Sequence, residues 1–322
     1  MTTLTTPATW RPEAFTAAVG DAVLAPSIHN SQPWRFRHTG DGLEVLLDER
    51  RRLAVCDPDG RMARMSCGAA AYNLRLGLAV AAGLPARFQL GSGSTVLRLW
   101  PAPPRPATPM ERRLHWQIAR RHTNRGPFAD RPVDAVAPAR LAEAARSEGG
   151  WLDFVLGDQA LVVVAELIGC ADARLRADRA YTAELHAWTT GANHSVEGIG
   201  PYAAGAAPHP AEILTRRDFG GLGHEATRDL SCRPAVAVLG GLGDGPDEAV
   251  RVGMALQCVL LTAADLGLAT AMYSQAVEVP ETRERLRQAV GRIHEPQIVL
   301  RFGYAPTTCY TNRRPIADVI EA

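Results

Sequence analysis

The sequence predicts an α+β fold in which two related lobes share one chain. Segments with helical spacing and segments that alternate like strands occur both before and after the middle of the chain. Five of the nine residues at 101–109 are proline, which makes a stiff, extended linker. Residues 69–84 also resemble residues 253–268. We therefore expect a first lobe at 1–100, a linker at 101–109 and a second lobe at 110–322.

The first lobe begins with a helix that a proline ends. Phe15, Val19 and Val23 are spaced by four and predict a helix over 12–25. Pro26 would end it, because the residue before a proline is pushed out of the α region. The pattern then predicts a strand at 34–37, a turn at 39–42, a strand at 43–48, a helix at 62–83 and a strand at 94–100.

The second lobe has longer helices and one segment without a period. Helices are predicted at about 110–119, 133–147, 159–176 and 247–267, and strands from 151, at 234–241 and at 297–304. Between them, about 187–231 is rich in Gly, Pro and Ala and shows no clear periodicity. A loop of this length in a compact domain is usually functional or mobile, so we interpret 187–231 as a lid.

The internal resemblance supports the two-lobe prediction. At an offset of 184, the alignment sets Leu76, Ala79, Gly83 and Leu84 on Leu260, Ala263, Gly267 and Leu268. Two buried helices that end in Gly-Leu match this well by chance in some proteins. Together with the proline-rich linker, however, the match predicts two related lobes packed face to face.

The composition excludes several classes of function. The net charge of the 322 residues is +1, which argues against nucleic acid or an anionic membrane as a partner. The N-terminus lacks the pattern of a signal peptide, and no apolar run is long enough to span a bilayer. The six cysteines show no CxxC spacing, which favours reduced thiols in the cytoplasm and no metal site. All 35 basic residues are arginine, a permanently charged planar group.

Residues 25–36, "APSIHNSQPWRF", hold a dense set of hydrogen-bonding side chains between a predicted helix and a predicted strand. His29 has no neighbour that would form a nucleophile–base pair. The hydroxyl of Ser27 and the amides of Asn30 and Gln32 are suited to binding a ligand with polar edges.

Two arginine clusters are candidates for an anion site. In "RRHTNR", residues 120–125, Arg121, Thr123 and Arg125 alternate and would point to one side of an extended backbone. Two guanidinium groups and a hydroxyl on one side suit a phosphate or a chain of hydroxyls. A solvated basic loop is the alternative. "TNRRP" at 311–315 is a second such cluster.

These segments together resemble the flavin-dependent nitroreductase family. "PSIHNSQPWRF" is similar to that family's P-S-x-x-N-x-Q-P-W-x-F segment, and "RHTNR" is similar to its R-x-S-x-R segment. "LRFGY" followed by "NRRP" resembles its closing strand and C-terminal arginine, and 253–275 resembles its central helix and following loop. Here, however, Q-P-W comes first, and each segment occurs once. That layout resembles the actinobacterial, dormancy-associated Acg-type branch, a monomer that mimics the family's homodimer, with a lid over its FMN.

The resemblance implies roles for individual residues. Arg121 and Arg313 would hold the FMN phosphate, and Thr123 replaces the usual serine. Arg125 would lie near the pyrimidine end of the ring and is the candidate catalytic residue. The complete implied FMN-binding set is Pro26, Ser27, Asn30, Gln32, Arg121, His122, Thr123, Arg125, Ser274, Gln275 and Arg313. The family's ring-contacting Asn and Lys in mid-chain have no match.

The resemblance also implies an activity. The expected function is NAD(P)H-driven reduction of a small molecule, such as a nitro compound or quinone, by a ping-pong flavin mechanism, with NADPH or NADH as reductant. One alternative is a protein that binds and sequesters FMN beneath its lid with little turnover. Another is a dedicated flavoenzyme of a biosynthetic pathway. One copy of each segment implies one FMN per chain, in a monomer that mimics a dimer or in a homodimer.

Overall fold

A computed structural model describes residues 10–189, 196–205, 207–209, 212–220, 234–305 and 310–321. The first part of the chain contains α1 (Pro12–Ala22), β1 (Trp34–His38), β2 (Leu43–Leu47), α2 (Arg61–Ala81), β3 (Ala86–Leu90) and β4 (Thr95–Pro101). Residues 102–108 then lead, without regular secondary structure, to the next helix. The boundaries of the two lobes remain a prediction.

The remainder of the described chain is mixed in the same way, which confirms the α+β class. Its elements are α3 (Pro109–Gln117), α4 (Ala137–Ser147), β5 (Gly150–Phe154), α5 (Asp158–Ala177), α6 (Arg179–Ala187), α7 (Pro201–Ala204), β6 (Ala235–Gly241), α8 (Pro246–Asp265), β7 (Ala269–Tyr273), α9 (Gln275–Glu278), α10 (Pro280–Ala289), β8 (Pro296–Gly303) and β9 (Ile320–Glu321). None of the helices in these ranges is both long and apolar enough to cross a bilayer.

The two sheets have the same topology, so the internal resemblance reflects a structural repeat. The strand order is β3-β4-β2-β1 in one sheet and β7-β8-β6-β5 in the other, and all of these neighbours pair antiparallel. Each repeat places its long helix, α2 or α8, between its second and third strands. Even the register irregularity recurs, between Val45 and Leu46 in β2 and between Leu239 and Gly240 in β6.

Helices α2 and α8 pack together at the centre of the molecule. A Cβ atom at Gly68 would overlap the carbonyl oxygen of Val250, and one at Gly253 would overlap that of Met65. The two backbones therefore touch where both helices lack side chains. Further along, the side-chain nitrogen Nε2 of Gln257 donates to Oδ1 of Asn73 at 2.7 Å. These two residues are equivalent at the offset of 184, so the helices meet at a quasi-twofold axis.

The repeats differ in the connection between their first and second strands. In the first repeat, a short turn joins β1 to β2. In the second repeat, the chain between β5 and β6 contains α5, α6, α7 and the aperiodic segment at 187–231. Of that predicted lid, 190–195, 206, 210–211 and 221–231 lie outside the described residues.

The end of the chain crosses from the second repeat to the first. Strand β9 pairs parallel with β1, with Phe36 opposite Ile320. This contact places the predicted basic cluster at 311–315 beside the 25–36 segment. Its first consequence is that Arg313 reaches Asn30, with the guanidinium Nη1 donating to Oδ1 at 3.1 Å.

The pattern predicted the long helices and missed several short elements. Strands β3 and β7 and helices α6, α9 and α10 were not predicted. The "ARFQL" sequence of β3 is only partly buried along its length, so its strand character depends on pairing with β4. Helix α1 ends at Ala22, three residues before the predicted end at 25, and the next residues form isolated turns.

The helix contact predicts a position-specific effect of alanine. Gly253→Ala should lower the free energy of unfolding by about 1–3 kcal/mol, because the new methyl group meets a backbone carbonyl that cannot move alone. Gly169→Ala in α5 is the matched control, since its Cβ would lie 3.5 Å from the nearest atom, an ordinary contact. There, the better helix propensity of alanine should leave stability unchanged or higher. Equal urea midpoints for the two variants would contradict the close approach.

A histidine links α3 to α1 and makes stability depend on pH. Nε2 of His115 lies 2.8 Å from Oδ2 of Asp21, and this hydrogen bond raises the pKa of His115 above its ordinary value of 6.5. The stabilisation is therefore complete below about pH 6.5 and is lost as pH rises through the raised folded-state pKa. Wild type should exceed His115→Gln in free energy of unfolding by at most about 1 kcal/mol at low pH, because the pair is partly exposed. An advantage that grows above about pH 8 would contradict this.

Candidate active site

A region between the repeats holds a large cavity and, next to it, a smaller basic recess. The main cavity is lined by Pro26, Ser27, Ile28, His29, Met62, Met65, Ser66, Ala69, Thr123, Asn124, Arg125, Ile199, Arg216, Arg217, Phe219, Leu256, Ala271, Met272, Tyr273, Ser274, Gln275, Gln297 and Ile298. The basic recess is lined by Pro26, Ser27, Asn30, Arg121, His122, Thr123, Arg125, Met272, Thr311 and Arg313. The two spaces share five lining residues and are therefore direct neighbours.

Most residues predicted from the sequence meet in this region. Four line both spaces, namely Pro26, Ser27, Thr123 and Arg125. Four line only the basic recess, namely Asn30, Arg121, His122 and Arg313, and two line only the main cavity, namely Ser274 and Gln275.

Gln32 is the exception, because it lines neither space and its amide is hydrogen-bonded within the protein. Its side chain is fully buried. Its Nε2 donates to the carbonyl oxygen of Val196 at 2.7 Å, while its Oε1 accepts from the backbone nitrogen of Arg314 at 2.8 Å. Gln32 therefore ties the lid segment and the C-terminal segment to the first repeat, outside both lining sets.

The backbone of the 25–36 segment is held in a rare conformation. His29, Asn30 and Gln32 have φ angles of 46°, 55° and 50°, the left-handed region that non-glycine residues seldom adopt. The hydroxyl oxygen of Ser27 accepts from the backbone nitrogen of Gln32 at 3.0 Å, and Asn30 Nδ2 donates to the carbonyl oxygen of Gly198 at 2.9 Å. Such strain persists only where the surroundings fix it. His29 then lines the main cavity and Asn30 lines the basic recess, whereas Gln32 lines neither.

The "RHTNR" segment runs along the edge of the second sheet. Thr123 forms a parallel bridge with Thr270 at the start of β7, and the backbone nitrogen of Asn124 donates to Thr270 at 2.8 Å. This extended backbone agrees with the expectation that Arg121, Thr123 and Arg125 face one side, and all three line the basic recess.

The basic recess contains three arginines and none of its ten lining residues is acidic. The Nε atoms of Arg121 and Arg313 are buried and have no hydrogen-bond partner in the part of the chain that the structure describes. Burial, together with the charges of Arg313 and Arg125, lowers the pKa of Arg121 to about 9, and burial and Arg125 lower that of Arg313 to about 10. Both groups are still charged at neutral pH. Unsatisfied buried donors on mutually repelling cations suit a bound anion.

His122 adds a neutral ring to this recess. Burial first, and then the charges of Arg121 and Arg313, lower its pKa to about 4. Its ring meets that of Tyr310 edge-on at 4.2 Å. His122 therefore carries no charge at neutral pH, and the positive potential of the recess comes from the arginines.

The main cavity is lined by apolar side chains of the two central helices and by polar side chains of the neighbouring segments. The apolar side chains include Met62, Met65 and Ala69 from α2 and Leu256 from α8. Ser27, Ser274 and Gln275 are among the polar residues that line it. Such a site suits a flat ring with polar edges.

Part of the predicted lid lines the main cavity. Ile199, Arg216, Arg217 and Phe219 all line it. Arg216 Nη1 donates to the carbonyl oxygen of Arg125 at 2.6 Å, which fixes this part of the predicted lid to the "RHTNR" segment. The guanidinium of Arg125 lies 5.5 Å from the ring centre of Phe219, and its Nη1 donates to the carbonyl oxygen of Ala203 at 3.1 Å.

The sequence did not identify these lid residues as part of the site. They lie in an aperiodic stretch where no spacing connects an arginine to a ligand. The "RR" pair at Arg216 and Arg217 was the available signal, and it resembles many exposed basic pairs.

Comparison with known proteins gives the family. No family model matches the chain. One protein of Mycobacterium tuberculosis H37Rv, whose name assigns it to the NAD(P)H nitroreductases, is 32% identical over 312 residues, covering 93% of this chain and 89% of its own length. The acg protein of the same strain, with a name of the same kind, is 31% identical over 317 residues and 95% of each chain.

A solved FMN- and NADPH-dependent nitroreductase from Sphigopyxis sp. strain HMH aligns with 65% of this chain and 98% of its own, at 19% identity and a TM-score of 0.42. The two mycobacterial relatives, in contrast, match this chain along 89% and 95% of their own length. The chain therefore belongs to the NAD(P)H nitroreductase family, with the acg protein among its relatives.

Proposed function

We propose that this protein binds FMN and uses electrons from NADPH or NADH to reduce a small acceptor, such as a nitro compound or a quinone. The observation that carries this proposal is that an acid-free basic recess adjoins a larger cavity lined by apolar side chains of both central helices. The recess suits a phosphate, and the cavity suits a flat ring. Membership of the nitroreductase family supports the same ligand.

Arg121 and Arg313 would hold the phosphate. Their buried Nε atoms have no hydrogen-bond partner among the described residues. Nη2 of Arg121 donates to the carbonyl oxygen of Leu24 at 3.2 Å, and Nη1 of Arg313 donates to Oδ1 of Asn30 at 3.1 Å. A phosphate would satisfy both Nε donors and offset the repulsion between the cations. The hydroxyl of Thr123 lines the same recess and would add a neutral donor.

Arg125 would be the residue that tunes the ring. It lines both spaces, so its permanent charge stands between the phosphate end and the ring end. When bound, the flavin supplies the hydride chemistry, and the protein supplies position and electrostatics. A fixed cation favours negative charge that appears next to it. Reductant and acceptor would enter the main cavity in turn, which gives a ping-pong order.

One chain would suffice for the site. The main cavity is lined by residues from α2 of the first repeat and α8 of the second, and by residues from the 25–36 and "RHTNR" segments. The quasi-twofold contact within one chain would thus replace a homodimer interface.

A second candidate is a protein that sequesters FMN. Arg217 and Phe219 of the lid segment line the main cavity, and the side chain of Arg217 is only 7% exposed and pairs with Glu278 at 2.7 Å. If this cover stays closed, nicotinamide cannot stack on the ring.

The phosphate assignment predicts a specific loss of flavin. Arg121→Met should bind FMN about 10- to 150-fold more weakly, because a charge-assisted contact contributes about 1.5–3 kcal/mol. Its neighbour provides a matched control, since the exposed guanidinium of Arg120 stacks on Trp116 at 3.7 Å and does not line the recess. Arg120→Met should keep full flavin occupancy. Flavin absorbance against protein mass decides, and an Arg121→Met protein that retains its flavin would show the assignment to be wrong.

Anaerobic mixing of the FMN-loaded protein with NADPH or NADH separates the two candidate functions. The oxidoreductase should lose its flavin absorbance within seconds, since enzymes typically turn over on the order of 10 times per second. The sequestering protein should bleach slowly, and Phe219→Ala, which removes part of the cover, should accelerate it. If neither the wild-type protein nor Phe219→Ala loses its flavin absorbance with either nucleotide, the oxidoreductase proposal fails.

A further inference from the structure

His29 lines the main cavity, and the flavin site proposed above does not use its side chain. It lines the part that the basic recess does not share, and it is 4% exposed. Its ring meets Phe219 of the lid segment edge-on at 5.9 Å. Its backbone has a φ of 46°, so the surrounding contacts fix the direction of this side chain.

The neighbours of His29 decide which ring nitrogen carries the proton. Nη1 of Arg217 lies 3.4 Å from Nε2, and Sγ of Cys56 lies 3.8 Å from the same atom. A guanidinium only donates, so the contact with Arg217 requires Nε2 to accept. Burial raises the pKa of the Cys56 thiol, which keeps its proton and can donate to the same atom. Nε2 must therefore be the acceptor, and a neutral ring then carries its proton on Nδ1.

The ring is neutral at physiological pH. Burial, followed by the positive charge of Arg217, lowers the pKa of His29 to about 3; Glu278 opposes this shift and Arg125 adds to it. Glu278 cannot reverse the effect, because its carboxylate is paired with Arg217 at 2.7 Å and accepts from the hydroxyl of Tyr181 at 2.8 Å. Tyr181 keeps its proton, since burial raises its pKa.

No residue in the described ranges accepts a hydrogen bond from Nδ1 of His29. The known contacts of the ring are those to Cys56, Arg217 and Phe219. The ring borders the main cavity, so a ligand there is the partner that this donor can reach.

We infer that Nδ1–H of His29 donates a hydrogen bond to an oxygen atom of the electron acceptor, either a nitro oxygen or a quinone carbonyl, and so fixes its orientation in the main cavity. This inference rests on the proposed function. It concerns binding and not proton transfer, because a neutral imidazole is too weak an acid to protonate a product near pH 7. It also involves the lid, because Arg217 sets the tautomer of His29.

Two substitutions test the donor without straining the backbone. Gly and Asn both tolerate a positive φ, so either can occupy position 29. His29→Gly removes the donor, while the amide of His29→Asn offers one close to the position of Nδ1. Each protein is loaded with FMN, reduced with light under anaerobic conditions and mixed with 1,4-benzoquinone, nitrofurazone or, as a control acceptor without a carbonyl or nitro group, ferricyanide.

The photoreduction step makes this test independent of nicotinamide. His29→Gly should need about 3- to 10-fold more quinone or nitrofurazone for half-maximal reoxidation, the loss expected for one neutral hydrogen bond. His29→Asn should return to within about twofold of wild type, and ferricyanide should react equally with all three proteins. The wild-type half-maximal concentration should not change between about pH 5.5 and about pH 8, because His29 does not titrate there.

Several results would overturn the inference. These are an unchanged quinone dependence in His29→Gly, an Asn variant as impaired as the Gly variant, or a matching loss of FMN affinity, which would place the donor on the flavin. Failure of wild type to bind FMN would instead refute the proposed function at the loading step. The imidazole ¹⁵N spectrum of the wild-type holoprotein tests the tautomer without any variant. It should show His29 neutral with its proton on Nδ1, and a proton on Nε2 would refute the assignment.

Discussion

The close contact between α2 and α8 is the constraint on which the rest of the structure depends. Gly68 and Gly253 let the two backbones touch, and Asn73 and Gln257 meet further along the same seam. Because each helix belongs to one of two sheets with the same strand order, this contact sets the repeats face to face. Both helices also line the main cavity, so any loosening of the helix pair would change the shape of the site.

The two repeats have kept their topology and lost their equivalence. The first repeat joins its first two strands by a tight turn, whereas the second inserts three helices and the lid segment there. The arginines of the basic recess come from the start of the second repeat and from the C-terminal arm that crosses to β1. Both scaffolds are thus present in each chain, whereas these three arginines all lie on one side of the quasi-twofold axis, which supports the proposal of one ligand site per chain.

Local patterns predicted much of this arrangement, and contacts between distant residues supplied the remainder. The spacing of apolar residues predicted the buried helices. The alternation of Arg121, Thr123 and Arg125 predicted that they face one side, and all three line one recess. The motif could not show the hydrogen bonds of the Gln32 side chain, because its amide bonds to the backbones of Val196 and Arg314, which are distant in sequence.

The role inferred for His29 could not be predicted from the sequence either. A single histidine does not reveal its tautomer, which here depends on Arg217 from the lid and on Cys56 from the loop before α2. Strand β3 could not be predicted for a similar reason, because its pairing with β4 and not its own composition makes it a strand.

We propose that one flavin phosphate binds in the acid-free recess that Arg121, Arg125 and Arg313 line between the repeats. Titration of the apoprotein with FMN and with riboflavin, followed by quenching of flavin fluorescence, tests it most directly. We expect saturation at one FMN per chain and at least about tenfold weaker binding of riboflavin, which lacks the phosphate. Saturation at two FMN per chain, or equal affinity for riboflavin, would contradict it.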